Sequence, residues 1–313
     1  MKTGVIGGGA LGLLWAGRLA GGGLDVTVIT RTEAQAERLR NKGLVFTGLD
    51  GEESLVDVRA KAISADPAGD PFDVLLVTVK QRHLPGLIDR LSPMSHEQSA
   101  LVFFQNGWGH DREIRRLGAK AHTFAAVTTE GALRTGPNRV HHTGSGQTWV
   151  GPFPHEGEGE PSWLDAWIER VSAIDPEVKI HREHDIRSRM WEKLVINCAI
   201  NAPTAILEIP NGDLLHERHA PLLRAVVEEA VRVAEAIGVR LDANRMLEKV
   251  VNVCRNTSGN RSSMLQDLMR GEPTEIDWIN GTVVRLGERM GMDTPVNRQL
   301  VDRIREKERH LKA

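Results

Sequence analysis

The chain has 313 residues, 40% of them hydrophobic and 26% charged, with a formal net charge of −2. That is room for two domains of ordinary size and the composition of a soluble globular protein. The balance excludes a broad basic footprint for nucleic acid or a membrane surface, and no apolar run approaches the ~20 residues of a transmembrane helix.

The N-terminus runs straight into a strand, so no signal peptide is expected. Cys198 and Cys254 fall inside helical patterns without metal-ligand spacing, which reads as buried reduced thiols in a cytoplasmic protein with no metal site. Tyrosine is absent, which removes tyrosine-based proton donors.

A short apolar strand, Gly4–Ile6, leads into Gly7-Gly8-Gly9-Ala10-Leu11-Gly12 and then an apolar helix. A dinucleotide fingerprint needs this setting: a tight turn at Gly7, close pyrophosphate approach at Gly9 and helix–strand packing at Gly12. The helix N-terminus adds free N–H groups and a positive dipole end. A purely structural glycine turn is the alternative. Nucleotide binding is favoured because a second strand, Leu24–Thr30, follows at βαβ spacing. NAD-preferring sites place an acid at the end of that strand, about 20 residues past the glycines. Here Arg31 stands there, with no carboxylate until Glu33. Its planar fork suits a 2′-phosphate, which points to NADP(H), although a solvated arginine opening a helix reads the same way.

Downstream, a helix is expected over Thr32–Asn41, and Leu44–Ala60 reads as a β-hairpin or two edge strands around Asp50-Gly51. Asp73–Lys80 and Ala100–Gln105 are nearly continuous apolar runs, as in strands buried on both faces of a parallel sheet. His122–Val150 is strand-like, with turns at Gly136-Pro137 and Gly144–Gly146. Gly151–Pro161 is a polar, glycine-rich loop, and Ser162–Ala173 reads as a helix. From Ile186 the helical period dominates, with helices expected at 186–202, 213–237, 242–256, 275–291 and 296–310. The expected fold class is α/β: an N-terminal Rossmann dinucleotide-binding domain over 1–183, then an all-α C-terminal domain over 184–313.

The helix Arg189–Asn201 is apolar around most of its circumference, yet Lys193, Asn197 and Asn201 fall at i, i+4 and i+8 and form one polar stripe. Lysine is rarely buried without a partner, so a polar cleft explains the stripe; a snorkelling lysine beside two backbone-bonded asparagines is the alternative. Pro203 is expected to stop this helix, and Asn211-Gly212 to turn after Ile209-Pro210. Thr274 can cap a helix beginning at Glu275, which would make Glu275 an ordinary first-turn acid. Ser262 and Ser263 beside a helix start are equally ordinary taken singly.

Taken together, these stretches resemble the ketopantoate reductase (2-dehydropantoate 2-reductase) family. The resemblance rests on Gly7–Gly12, Val79-Lys80, Gln105-Asn106-Gly107, Trp191-x-Lys193-x3-Asn197-x3-Asn201 and Asn211-Gly212-x-Leu214. Ser262–Asp267 and Thr274-Glu275-Ile276-Asp277-x2-Asn280-Gly281 complete it, in order over nearly the whole chain. The resemblance implies NADPH-dependent reduction of the C2 ketone of 2-dehydropantoate to pantoate, in pantothenate and coenzyme A biosynthesis. Lys193 would be the general acid, and Asn106 would sit near the nicotinamide and the reacting carbonyl. Asn197, Asn201, Asn211, Asn260 and Ser263 would hold the substrate's carboxylate and hydroxyl, and Glu275 would touch substrate and cofactor. Gly7, Gly8, Gly9, Ala10, Leu11 and Gly12 would cradle the cofactor, Arg31 and Lys80 would bind its 2′-phosphate, and Ala132 would supply a backbone contact. His83 stands where a glutamine-like cofactor contact is expected and is assigned no role. The implied partner is a small 2-oxo acid, with a homodimer through the helical domain. Reduction of another branched 2-oxo acid, or a non-catalytic NADP-sensing protein, are the readings to be distinguished.

Overall fold

The computed structural model describes residues 1–64, 71–154, 163–175 and 177–311. The β-branched and leucine-rich runs form the strands of two sheets, one of eight strands and one of four. In chain order these are β1 (Lys2–Ile6), β2 (Asp25–Thr30), β3 (Leu44–Thr47), β4 (Glu53–Val56), β5 (Arg59–Ala62) and β6 (Val74–Val77). They continue with β7 (Ala100–Phe103), β8 (His122–Thr128), β9 (Gly131–Gly136), β10 (Arg139–Gly144), β11 (Gln147–Pro152) and β12 (Lys179–Arg182). The large sheet runs β12-β11-β8-β7-β6-β1-β2-β5, parallel throughout except where β11 pairs antiparallel with β8. Every residue of β6 and β7 is buried, as their unbroken hydrophobicity requires. The direction of winding reverses at β1, whose neighbours are β2 and β6, and such a switch point opens a crevice beyond the strand ends.

The Leu44–Ala60 stretch resolves into the β3–β4 hairpin and β5, which returns to the large sheet beside β2. The hairpin joins β9 and β10 in a second sheet, β4-β3-β10-β9, in which β3 and β10 are parallel. Helix α1 (Ala10–Gly21) contacts β1 and β2 of the large sheet and β3, β9 and β10 of the small one. Gly17 permits that approach, since a Cβ there would lie 2.5 Å from the Phe46 ring. Helices α2 (Glu33–Lys42), α3 (Leu84–Leu91), α4 (Asp111–Ile114) and α5 (Leu164–Ile174) complete this unit. Residues 155–161 of the expected Gly151–Pro161 loop lie outside the described residues, and Gly151-Pro152 belong to β11.

The remaining elements are helical: α6 (Ile186–Leu207), α7 (Ala220–Ala236), α8 (Ala243–Asn256), α9 (Ser263–Met269), α10 (Asn280–Arg289) and α11 (Pro295–His310). Contacts divide the chain into one unit of Met1–Gln105 with His110–Ile186, and a second of Asn106–Gly109 with Arg187–Ala313. The second core is built on α6, whose Trp191, Leu194, Val195, Cys198, Ala199, Ala202 and Ala205 are all buried. Asn280 ties it together by donating to the Cys198 carbonyl (3.1 Å) and to Asn297 Oδ1 (3.0 Å). The buried Glu229 carboxylate accepts from the Val296 and Asn297 amides at 2.9 Å, capping the start of α11.

Three sequence expectations fail here, each for a local reason. Pro203 does not stop α6, which continues to Leu207. The proline forfeits one N–H bond, while Thr204 Oγ1 donates to the Ile200 carbonyl at 2.7 Å and the helix stays buried. The helix ends instead at Glu208, the left-handed residue (φ 59°) of a C-terminal cap in which the Ile209 amide donates to Thr204. The helix expected at 213–237 begins only at Ala220, after short 3-10 turns at Asn211–Leu215 and Glu217–His219. Finally, no α-helix starts at Glu275. Thr274 Oγ1 accepts from the Ile276 amide and opens a 3-10 turn, Ile276–Trp278, and Ile279 (φ −102°, ψ −100°) separates it from α10.

Candidate active site

The glycine turn follows β1 directly. Gly7 has φ +118°, a conformation that favours glycine, and its amide donates to the Ile29 carbonyl at 2.9 Å. At Gly12 a Cβ would lie 1.9 Å from the Gly7 carbonyl oxygen, so only glycine lets α1 start this close to β1. A Cβ on Gly9 would meet nothing within 4 Å: the turn is open there, at the N-cap of α1. The first turn of α1 carries no acidic residue, and its unpaired amides favour an anion. Ala10 and Leu11 are half-buried at this opening. Thr78, past the end of β6, donates to the Ile6 carbonyl at 2.9 Å and locks the turn to the neighbouring strand. Arg31 is exposed at the end of β2, and Lys80 is half-buried just before the 3-10 turn Gln81–His83. Ala132 lies on β9, opposite His142 of β10. Beside it, Glu130 and Arg18 form a buried ion pair at 3.0 Å, with His142 Nε2 2.9 Å from the Glu130 carboxylate.

The second group of residues belongs to the helical unit. Asn106, expected at a strand end, lies three residues beyond β7 and groups with Arg187–Ala313. Gly107 (φ +84°) brings this loop against the 3-10 turn, where a Cβ would lie 2.2 Å from the Trp278 carbonyl oxygen. The Trp108 amide donates to that same oxygen at 3.1 Å, and Trp108 packs on Trp191 with ring centroids 5.6 Å apart. These contacts hold Asn106 so that its Nδ2 donates to Glu275 Oε2 at 3.3 Å, across 169 positions of sequence. Glu275 is itself buried.

On α6, Lys193 and Asn197 are half-buried and Asn201 is buried. The Lys193 ammonium has no hydrogen-bond partner among the described residues. Burial lowers its pKa to about 8, with the Glu275 carboxylate close enough to hold it up. Asn211 is buried, and its Nδ2 donates to Thr257 Oγ1 at 2.9 Å, but its Oδ1 has no partner. Its backbone amide donates to the Asn260 carbonyl at 2.9 Å, a further link between the two segments. The two adjacent serines divide their work. Ser262 is buried, accepts from the Leu265 amide as the N-cap of α9, and its Oγ lies 2.7 Å from that of Thr204. Ser263 is exposed at the first position of α9, and Asn260 is exposed as well. The hold of the Trp278 carbonyl and the Trp191 ring on the Asn106 loop carries little sign in the sequence. The Gly107 position was its one local sign.

Gly12 packed on Gly7 at a winding reversal defines the Rossmann class of α/β proteins. Family comparison makes the assignment finer. Residues 3–155 match the family model for ketopantoate reductase PanE/ApbA and residues 185–308 the model for its C-terminal part. The chain belongs to the ketopantoate reductase family, and it is an oxidoreductase of that family. It is 34% identical over 307 residues to the 2-dehydropantoate 2-reductase of Vibrio cholerae, covering 97% of each chain. The Bacillus subtilis 2-dehydropantoate 2-reductase is 33% identical over 298 residues, covering 94% of this chain and 93% of that one. Among solved structures, a PanE/ApbA family ketopantoate reductase from Ralstonia eutropha superposes with a TM-score of 0.88 at 29% identity, over 100% of both chains. A D-mandelate dehydrogenase with NADH and anilino(oxo)acetate shares the fold at a TM-score of 0.91 and 23% identity, over 100% of both chains.

Proposed function

We propose that this protein catalyses the NADPH-dependent reduction of 2-dehydropantoate to pantoate, the step that feeds pantothenate and coenzyme A synthesis. The observation that carries the reading is the Lys193 ammonium, half-buried with no hydrogen-bond partner among the described residues and on one helical face with Asn197 and Asn201. A folded protein gains nothing from such a group unless a ligand completes it.

The residues fit a dinucleotide. The open space at Gly9 and the acid-free first turn of α1 suit a pyrophosphate, and Arg31 and Lys80 supply cations for a 2′-phosphate. Bound NADPH supplies the hydride that reduces carbon 2. Lys193 Nζ gives its proton to the carbonyl oxygen, so that no free alkoxide has to form. With a pKa of about 8 the ammonium is mostly charged at neutral pH yet acidic enough to donate. The Asn197 and Asn201 amides donate to the oxo acid's oxygens, and Asn260 and Ser263 hold its carboxylate end. The orphan Asn211 Oδ1 is an acceptor, which suits the substrate's hydroxyl rather than its carboxylate. Asn106, oriented by Glu275, holds the reacting carbonyl.

The test is a panel of 2-oxo acids with NADPH, followed by loss of its absorbance. Ketopantoate should give the highest kcat/KM. A higher value with another branched 2-oxo acid would reassign the substrate, and no turnover with any of them would remove the reductase reading in favour of a sensing role.

A further inference from the structure

Arg134, on β9, is exposed, and its Nη1 donates to the Gly8 carbonyl at 3.3 Å. That oxygen belongs to the middle glycine of the turn and also accepts from Gln35 Nε2 at 2.8 Å. Gln35 lies in the first turn of α2, whose N-cap Thr32 directly follows Arg31. The same Nε2 donates to the Pro137 carbonyl at 2.7 Å, in the β9–β10 turn. One amide therefore pins the glycine turn, the start of α2 and the end of β9 together. Arg38 reinforces the link through Asn138 Oδ1 at 3.4 Å, and Asn138 Nδ2 donates to the Gly43 carbonyl at 2.8 Å behind α2. This explains the middle glycine of the run, since a Cβ on Gly8 would lie 2.4 Å from the Gln35 amide. It also fixes Arg134 at the part of the turn that α2 approaches, and Arg31 stands between the end of β2 and the Thr32 cap of that helix.

Neither Arg31 nor Arg134 has a carboxylate partner among the described residues. Glu33, the acid nearest to Arg31 in sequence, is taken by Arg40 at 2.6 Å. A guanidinium has five N–H donors, and Arg134 spends one of them on Gly8. The rest of the fork matches a phosphate better than any other acceptor expected there. We propose that Arg134 is a second specificity residue of the nucleotide site, which grips the adenosine 2′-phosphate together with Arg31. The inference rests on the NADPH reading above.

The experiment measures binding by calorimetry, using NADPH, NADH, adenosine 2′,5′-bisphosphate and 5′-AMP as probes. Wild type is compared with Arg134→Ala, Arg134→Gln and Arg31→Ala, each checked for folding by circular dichroism. Arg134→Ala should weaken NADPH and the bisphosphate about tenfold and leave NADH and 5′-AMP within about twofold. Arg134→Gln keeps an N–H donor for the Gly8 carbonyl but no charge, so it should lose as much as the alanine variant. Equal weakening of NADPH and NADH, a wild-type-like Arg134→Gln, or no change with any probe would overturn the proposal. Equal wild-type affinity for NADPH and NADH would instead overturn the cofactor reading itself, and the proposal with it.

Discussion

Glu275→Gln tests the assignment of Lys193 without touching the lysine. Burial pulls the ammonium from 10.5 down to about 8, and the Glu275 carboxylate opposes that fall. The glutamine keeps an acceptor for Asn106 Nδ2 and removes only the charge. Desolvation then acts alone, and the lysine should titrate lower still. An opposite charge at close range is worth about one pH unit or more, or about 1.4 kcal/mol per unit. In the proposed mechanism reduction needs the protonated lysine, so wild-type kcat should fall as pH rises through about 8, and oxidation of pantoate should improve over the same interval. If the midpoint drops by about one unit, the protonated fraction at pH 8 goes from about a half to about a tenth, roughly a fivefold loss against wild type once each profile is scaled to its own acid plateau. The assay is kcat against pH at saturating ketopantoate and NADPH, in both directions. Only the midpoint is read, because Glu275 also contributes to binding and the plateau height will change. An unmoved or raised midpoint would refute the electrostatic argument. A basic limb that persists in Lys193→Ala would refute the acid assignment altogether, since that variant should lose about 10²–10⁴-fold in turnover while still binding NADPH.

Arg31→Ala should weaken NADPH by about tenfold to a hundredfold and spare NADH, as titration of each cofactor will show. The adjacent serines should separate. Ser262→Ala loses a helix cap and about 1 kcal/mol in urea unfolding, whereas Ser263→Ala keeps wild-type stability and raises the KM for the oxo acid. Lys193→Met should be inactive yet more stable than wild type at pH 7, by roughly 1–3 kcal/mol. The folded-state pKa of about 8 lies below the ordinary 10.5, so the penalty is fully present below pH 8. It is relieved as pH rises between those values, because there the unfolded chain binds more protons. Urea midpoints of the two proteins should therefore converge towards pH 10.5; a gap that widens with pH would contradict the sign.

What was legible in the sequence is what local spacing controls. The glycine turn, Arg31 after β2 and the stripe of Lys193, Asn197 and Asn201 each follow from a period or an offset within one element. The failures sit where a distant partner decides. Pro203 reads as a helix stop until the burial of α6 and the Thr204 hydroxyl are known. Thr274 reads as an α-helix cap because nothing in its neighbourhood announces the break at Ile279. Pairing of β3 with β10 spans about ninety positions and carries no local sign, so the second sheet stayed hidden inside two separate strand-like stretches. Arg134 escaped notice for the same reason: only the three-way bond of Gln35 brings its strand to the glycine turn.

Helix α6 shows how packing and the proposed chemistry are coupled. Folding alone would make every position of a helix so enclosed apolar, as Trp191, Leu194, Val195 and Cys198 are. Lys193 departs from that pattern at a cost to stability, because its charge is desolvated and only Glu275 offsets it. The same desolvation brings an amine that would hold its proton too tightly in water into the range where it can release it. Glu275 keeps the shift from going so far that the lysine is neutral at the working pH. Burial and one carboxylate are therefore opposed on a single ammonium, and in the proposed mechanism their difference would set the strength of the acid. If so, apolar packing around α6 is part of the catalytic design. Hydrating the helix by truncating a core neighbour such as Leu194 should raise the kinetic midpoint even though no polar group near Lys193 has changed.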